Sequence, residues 1–249
     1  NMDMVGVGLL YRYGYFTQVI SAGGEQVAHN EAQDFSKLPV MPVRDENGNW
    51  ITIQMVFPGR SLTARLWKVQ IGRVPLYLLD TDFEANKAHD RQITHMLYGG
   101  DNENRFKQEL LLGIGGIRAL RRLGIRTDLY HCNEGHAAFT GLERLREYIQ
   151  EQNMTFPEAR EIVRASSLFT THTPVPAGHD YFDEDLMRTY IAHYPERMKT
   201  TWNHMMSLGR VHPGNIHEKF SMSCLAVNLS QEVNGVSKLH GQVSREMFS

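Results

Sequence analysis

Two short segments concentrate side chains that can bind and orient a polar ligand. They are Asn133-Glu134-Gly135-His136 and His172-Thr173-Pro174-Val175-Pro176-Ala177-Gly178-His179-Asp180. Each follows a short apolar run and leads into a helical pattern. A neutral sugar needs dense donors and acceptors on a rigid frame, and Asn133, Glu134, His136 and His172 supply them. For either loop alone a scaffold reading weighs as much, because a helix-leading Asn or Glu often caps its helix. Two such loops leaving one sheet edge favour ligand binding.

Two further segments carry polar groups. Leu97-Tyr98-Gly99-Gly100-Asp101-Asn102 joins two glycines, which admit close backbone approach, to an acceptor and a donor. A plain turn with Asp101 or Asn102 as helix N-cap explains it better on its own. In Gln231 to His240, Asn234-Gly235 is a tight-turn dipeptide that either sets Asn234 at a pocket wall or joins two elements.

Other motifs fail on spacing. Gly113-Ile114-Gly115-Gly116 matches a dinucleotide loop only in part and lies inside a helical pattern, so close helix packing explains it better. His131 and His136 straddle a turn, and Cys132 and Cys224 are isolated, so no metal site is expected despite 12 histidines. No nucleotide-binding P-loop occurs.

The elements that position these loops follow from periodicity. Val5 to Ile20 reads as β-rich, and Gly23-Gly24 turns. Asp45 to Asn49 is a hairpin turn into a strand over Trp50 to Val56. Thr63 to Ile71 alternates with period 2, and Gly72-Arg73 leads to a strand over Val74 to Leu79. These predict an antiparallel meander of about four strands. From Asn104 to Leu123 the spacing becomes helical, with Gly124 as its stop. Asp128 to Cys132 and Ser167 to Thr171 read as buried strands. Between them lie a helix marked by Ala138, Leu142, Leu145 and Ile149, and another opened by Thr155 as N-cap and Pro157 at its first position. Helices are expected around 184–194, 196–208 and 221–230, and a short element from Val233. Strand–helix alternation implies a Rossmann-like parallel sheet with helices on both faces. The chain thus divides into a β-rich part, 1–97, and an α/β part, 98–249, of one incomplete α/β domain.

Composition narrows the partners. The net charge of −2 gives no footprint for nucleic acid or an anionic membrane. No apolar run reaches membrane-spanning length. Two distant cysteines in apolar surroundings read as reduced thiols, which points to the cytosol.

Seven segments in order carry a family resemblance: Gly8 to Gln18, Leu97 to Asp101, Lys107 to Glu109, Leu112 to Gly116, Asn133 to Ala138, Thr171 to Pro174 and Val233 to His240. Together they resemble the α-glucan phosphorylases of glycogen, starch and maltodextrin, most nearly the short bacterial and archaeal branch. The resemblance implies a GT-B enzyme with two Rossmann-like domains. Such an enzyme transfers the terminal α-1,4-linked glucose to inorganic phosphate and gives α-glucose 1-phosphate. It implies pyridoxal phosphate as cofactor, held by a lysine of the C-terminal domain, whose phosphate shuttles a proton. By the same resemblance His172 and Asn234 hold the glucose at the catalytic subsite. Glu134 and His136 line the pocket beneath it, and Asp101 and Asn102 lie on a gating loop. The loop after Asp101 is shorter than in animal-type enzymes, which removes support for their large-loop gating and for their nucleotide and phosphorylation control. The seven lysines (37, 68, 87, 107, 199, 219 and 238) match no cofactor-lysine motif. The expectation is therefore a partial N-terminal domain, inactive alone, whose partner is its own C-terminal domain; a homo-oligomer is compatible with it. A stand-alone glucan-binding module and the N-terminal domain of a nucleotide-sugar glycosyltransferase are the competing readings.

Overall fold

The computed structural model describes residues 2–97, 99–175 and 178–247. Tyr98, Pro176 and Ala177, which belong to two of the candidate loops, lie outside the described residues. The chain divides into two compact units, Asn1–Arg122 and Leu123–Ser249.

In the first unit the strands are β1 (Gly6–Leu9), β2 (Thr17–Ile20), β3 (Gln26–His29), β4 (Met41–Pro42), β5 (Thr52–Phe57), β6 (Arg60–Ile71) and β7 (Val74–Asp80). The turn before β5 forms because the Asp45 carboxylate accepts from the amides of Asn47 and Asn49, each at 2.9 Å. The long β6 organises a five-stranded sheet, with β4 and β5 antiparallel along one edge and β7 along the other. Its alternate residues Leu62, Ala64 and Leu66 are fully buried, as the period-2 pattern predicts. The expected meander is corrected at one edge, where β1 lies parallel to β7, with Gly6 opposite Leu76 and Leu9 opposite Leu79. A parallel partner needs a long return connection, which residues 10–73 provide, and no local pattern announces it. β2 and β3 form a separate hairpin.

The helices of this unit are α1 (Ala88–Arg91), α2 (Asn102–Leu110) and α3 (Gly116–Arg122). Where the spacing predicts one continuous helix, a π turn at Leu111–Gly115 joins α2 to α3. The wider turn takes in one extra residue, and Leu110, Leu111, Ile114 and Ile117 along this stretch are all buried. The glycines of this run serve close packing. A Cβ at Gly115 would lie 3.2 Å from Met55 Sδ, and one at Gly116 3.1 Å from Val7 Cγ1. Gly124 takes φ +72° just past α3, the left-handed stop expected of it.

In the second unit the strands are β8 (Tyr130–Asn133), β9 (Ser167–Thr171), β10 (Tyr181–Phe182), β11 (Phe220–Ser221) and β12 (Glu232–Gly235). β8 and β12 flank β9, and both run parallel to it. The helices are α4 (Phe139–Glu151), α5 (Phe156–Ala165), α6 (Glu184–Ile191), α7 (Tyr194–Arg197), α8 (Trp202–Ser207), α9 (Met222–Asn228) and α10 (Lys238–Met247). The fold is thus mixed α/β with a parallel sheet, as expected. Thr155 and Glu158 form a capping box at the start of α5, with Pro157 at the second helical position rather than the first. The helix expected over 196–208 breaks into α7 and α8. Lys199 takes φ 50°, and the Thr201 hydroxyl accepts from the His204 amide at 3.2 Å to cap a new helix. Asn234-Gly235 is a second correction. It closes β12 instead of making a turn, because Asn234 pairs with Thr170 and Gly235 with Thr171.

Phe169 of the central strand is fully buried, as are Leu142 and Leu145 of α4 and Val163 of α5. At the amino-terminal edge of this sheet sits Arg144 of α4, 1% exposed. Its guanidinium lies over the Tyr130 ring at 3.7 Å and donates to the Ser167 hydroxyl at 2.7 Å and to the Ser166 hydroxyl. Both serines donate back to the last turn of α5, Ser166 to Ile162 O and Ser167 to Val163 O, each at 2.6 Å. Arg144 has no carboxylate partner among the described residues, and burial holds its pKa below the usual arginine value. No helix is long and apolar enough to cross a membrane among the described residues.

Candidate functional site

β8 and β9 are adjacent and parallel, with Asn133 opposite Thr170, so the loops that follow them leave the same carboxyl edge. β12 ends on that edge too and brings Asn234 there. The structure thus gathers Asn133, Glu134, His136, His172 and Asn234 at the end of one parallel sheet, the place where open α/β sheets bind ligands.

Glu134 follows β8 in an unusual backbone conformation, φ 65° and ψ 176°. That region is essentially reserved for glycine and costs of order 1–3 kcal/mol for another residue. The Glu134 amide donates to Thr170 O at 2.9 Å, which extends the β8–β9 ladder by one residue. Its carboxylate oxygen Oε1 accepts from two successive amides of the second loop, His172 and, at 2.6 Å, Thr173. Gly135 comes next, and a Cβ there would lie 3.2 Å from the Ser223 amide nitrogen of α9, so only glycine fits without displacement.

His136 pairs through Nδ1 with the Asp180 carboxylate at 3.0 Å. Two residues of the separate sequence segments are thereby linked, and Asp180 joins the site although spacing alone gave it no role. The neighbouring His179 is buried and meets the Ser223 hydroxyl through Nδ1 at 2.7 Å. His172 is exposed, and its imidazole has no hydrogen-bond partner among the described residues.

A chain of side chains crosses all three strands behind Asn234. His131 Nε2 lies 2.7 Å from Thr170 Oγ1, and Thr170 donates to Asn234 Oδ1 at 2.8 Å. A threonine has one hydroxyl hydrogen, here donated to Asn234, so His131 must be the donor to Thr170 and carry its hydrogen on Nε2. Asn234 Oδ1 is thereby fixed in the sheet, and its amide nitrogen donates to Gly235 O at 3.3 Å. Sequence reasoning missed Thr170 and weighed His131 only as a metal ligand. No local signal could reveal them, since the contacts join strands far apart in the chain. Thr170→Val should lower the free energy of unfolding by about 1 kcal/mol, measured by urea denaturation, while Thr170→Ser retains it.

The first unit places Asp101 and Asn102 differently. The Asp101 carboxylate accepts from the Asn104 amide at 2.8 Å and so caps α2, of which Asn102 is the first residue. Gly100 precedes them at φ +87°. Both side chains are exposed, and the capping role accounts for Asp101 without a ligand.

Both cysteines are free, and burial pushes the Cys132 thiol up to about 11. Such a thiol is protonated at neutral pH and offers no thiolate to a metal or substrate.

Comparison with known proteins gives the family. The carbohydrate phosphorylase family model matches residues 63–248. The maltodextrin phosphorylase of Thermococcus litoralis is 40% identical over 248 residues, covering 100% of this chain and 29% of its own length. The glycogen phosphorylase of Mycobacterium tuberculosis is 40% identical over 258 residues, covering 100% of this chain and 30% of its own. That of Aquifex aeolicus is 30% identical, covering 100% and 36%. The chain spans about a third of the length of these relatives. With three-quarters of its residues inside one family model, this chain belongs to the carbohydrate phosphorylase family.

Proposed function

We propose that this chain forms the glucose-facing wall of an α-glucan phosphorylase. Such an enzyme transfers the terminal α-1,4-linked glucose of glycogen, starch or maltodextrin to inorganic phosphate and releases α-glucose 1-phosphate. The observation that carries the reading is the meeting of His172 and Asn234 at one sheet edge, both presented by backbone fixed to the β8–β9–β12 ladder. In this reading His172 and Asn234 bind the glucosyl unit and hold it in reactive orientation. His136, paired with Asp180, lines the pocket beneath it. Rigid placement of this kind lowers the barrier by orientation, without any bond made to the protein. Asp101 and Asn102 lie at the start of a helix that borders a gating segment.

Family membership implies pyridoxal phosphate, which when bound supplies a phosphate group for proton transfer. The lysines here do not fit its attachment. An imine-forming lysine needs a desolvated amine. None of the seven is buried, and Lys107, Lys37 and Lys219 are ion-paired to Glu103, Asp34 and Asp183. We therefore place the cofactor on a further domain that is this chain's structural partner. Two free thiols fit a reducing, cytoplasmic setting.

The test is glucose 1-phosphate release from maltoheptaose and inorganic phosphate. A full-length phosphorylase carrying this chain should release it. The isolated chain should release none and take up no pyridoxal phosphate. A folded, cofactor-loaded full-length protein without phosphorolysis overturns the reading.

A further inference from the structure

Glu134 stands at the candidate site with its carboxylate turned toward protein. One oxygen, Oε1, receives the amide hydrogens of both His172 and Thr173. Two successive amides converging on one anion form a compact cradle, and the charge on the acceptor strengthens each bond. The residue that supplies the anion is held rigidly. Its own amide is tied to Thr170 O, and Gly135 behind it packs against α9 without room for a Cβ. His172, by contrast, has no side-chain partner among the described residues, so what the protein fixes is its backbone and with it the direction in which its side chain leaves the loop. The strained φ of Glu134 fits the same picture. A glycine would adopt that conformation freely, yet the position carries a side chain whose carboxylate reaches the next loop.

We propose that Glu134 is a positioning residue, whose carboxylate sets the direction in which His172 meets the glucosyl unit by holding the two amides after β9. The proposal rests on the phosphorylase reading above and goes beyond it, since it moves Glu134 from ligand contact to control of another residue. It also separates the two things a carboxylate can do. As a clamp it needs only an acceptor oxygen. As a ligand contact or proton carrier it needs its charge.

The experiment compares Glu134→Gln, Glu134→Ala and Glu134→Gly in a full-length phosphorylase carrying this chain. Gln keeps an acceptor oxygen at the same reach but loses the charge that strengthens both bonds, so its kcat/KM should fall several-fold less than that of Ala or Gly. Ala and Gly remove the acceptor and should lose about tenfold or more, chiefly in kcat. Adding Glu134→Ala to His172→Ala should cost nothing further, because the first residue acts through the second. Amide hydrogen exchange of His172 and Thr173 gives an arm independent of activity, with protection kept in Gln and lost in Ala and Gly. A Gln variant as impaired as Ala overturns the proposal, as does full additivity in the double variant or unchanged exchange in Ala. A Gly variant that keeps its fold but loses activity excludes general misfolding as the cause. If the unsubstituted full-length protein shows no phosphorolysis, the functional reading fails while the exchange measurement still decides the clamp.

Discussion

His172→Ala in a full-length phosphorylase carrying this chain should lower kcat/KM for maltodextrin phosphorolysis by about 30-fold or more, equivalent to about 2 kcal/mol. The imidazole is exposed at the carboxyl edge of the sheet and makes no described protein contact, so it is available to a ligand. Its backbone is fixed from two sides, by the pairing of Thr171 with Gly235 and by the Glu134 carboxylate. In the proposed function, removing the ring therefore deletes the contact to the glucosyl unit and little else. The split between constants is informative. A contact made equally to substrate and transition state raises KM, while one that strengthens as the glucosyl unit becomes positively charged lowers kcat. Unchanged kcat/KM would make His172 scaffold. Thermal stability should be nearly unaffected, because the side chain is exposed.

Arg144→Ala should be the most destabilising substitution discussed, at about 3 kcal/mol, read as a Tm lowered by roughly 6–12 °C. The side chain is 1% exposed and joins the Tyr130 ring at the start of β8 to Ser166 and Ser167 at the start of β9. Truncation leaves a void between α4 and the sheet and frees the turn after α5. Arg144→Met should cost far less. It keeps most of the volume and removes a buried cation that burial already disfavours. The two serines stay bonded to Ile162 and Val163 in either variant, so the loss measured belongs to packing and to the guanidinium. Equal losses for Ala and Met would show that the cation itself, rather than its bulk, holds this edge together.

Local chemistry made much of this legible in the sequence. The long β6, the turn at Asp45, the capping box of α5 and the strand over Ser167–Thr171 all follow from residues within a few positions of one another. The βα rule then placed the Glu134 and His172 loops on one edge without any long-range information. Illegible were the contacts set by register between distant strands. β1 beside β7 and Thr170 beside Asn234 depend on which strands become neighbours, which no period records. The Glu134 clamp is a case of the same kind. Its residue was visible as a candidate, but a carboxylate facing two amides and one facing a sugar read identically in sequence. Asp101 shows the reverse. The bland expectation of an N-cap described its contact correctly.

The direction of the chain from His131 through Thr170 to Asn234 has a consequence for what could stand in its place. The first position has to donate, through Nε2, and the last has to accept, through Oδ1. A side chain at position 131 that can only accept would turn the Thr170 hydroxyl around and require the asparagine amide to turn with it. The threonine carries a single hydrogen to share between its two neighbours, and that one hydrogen makes three strands agree on one orientation.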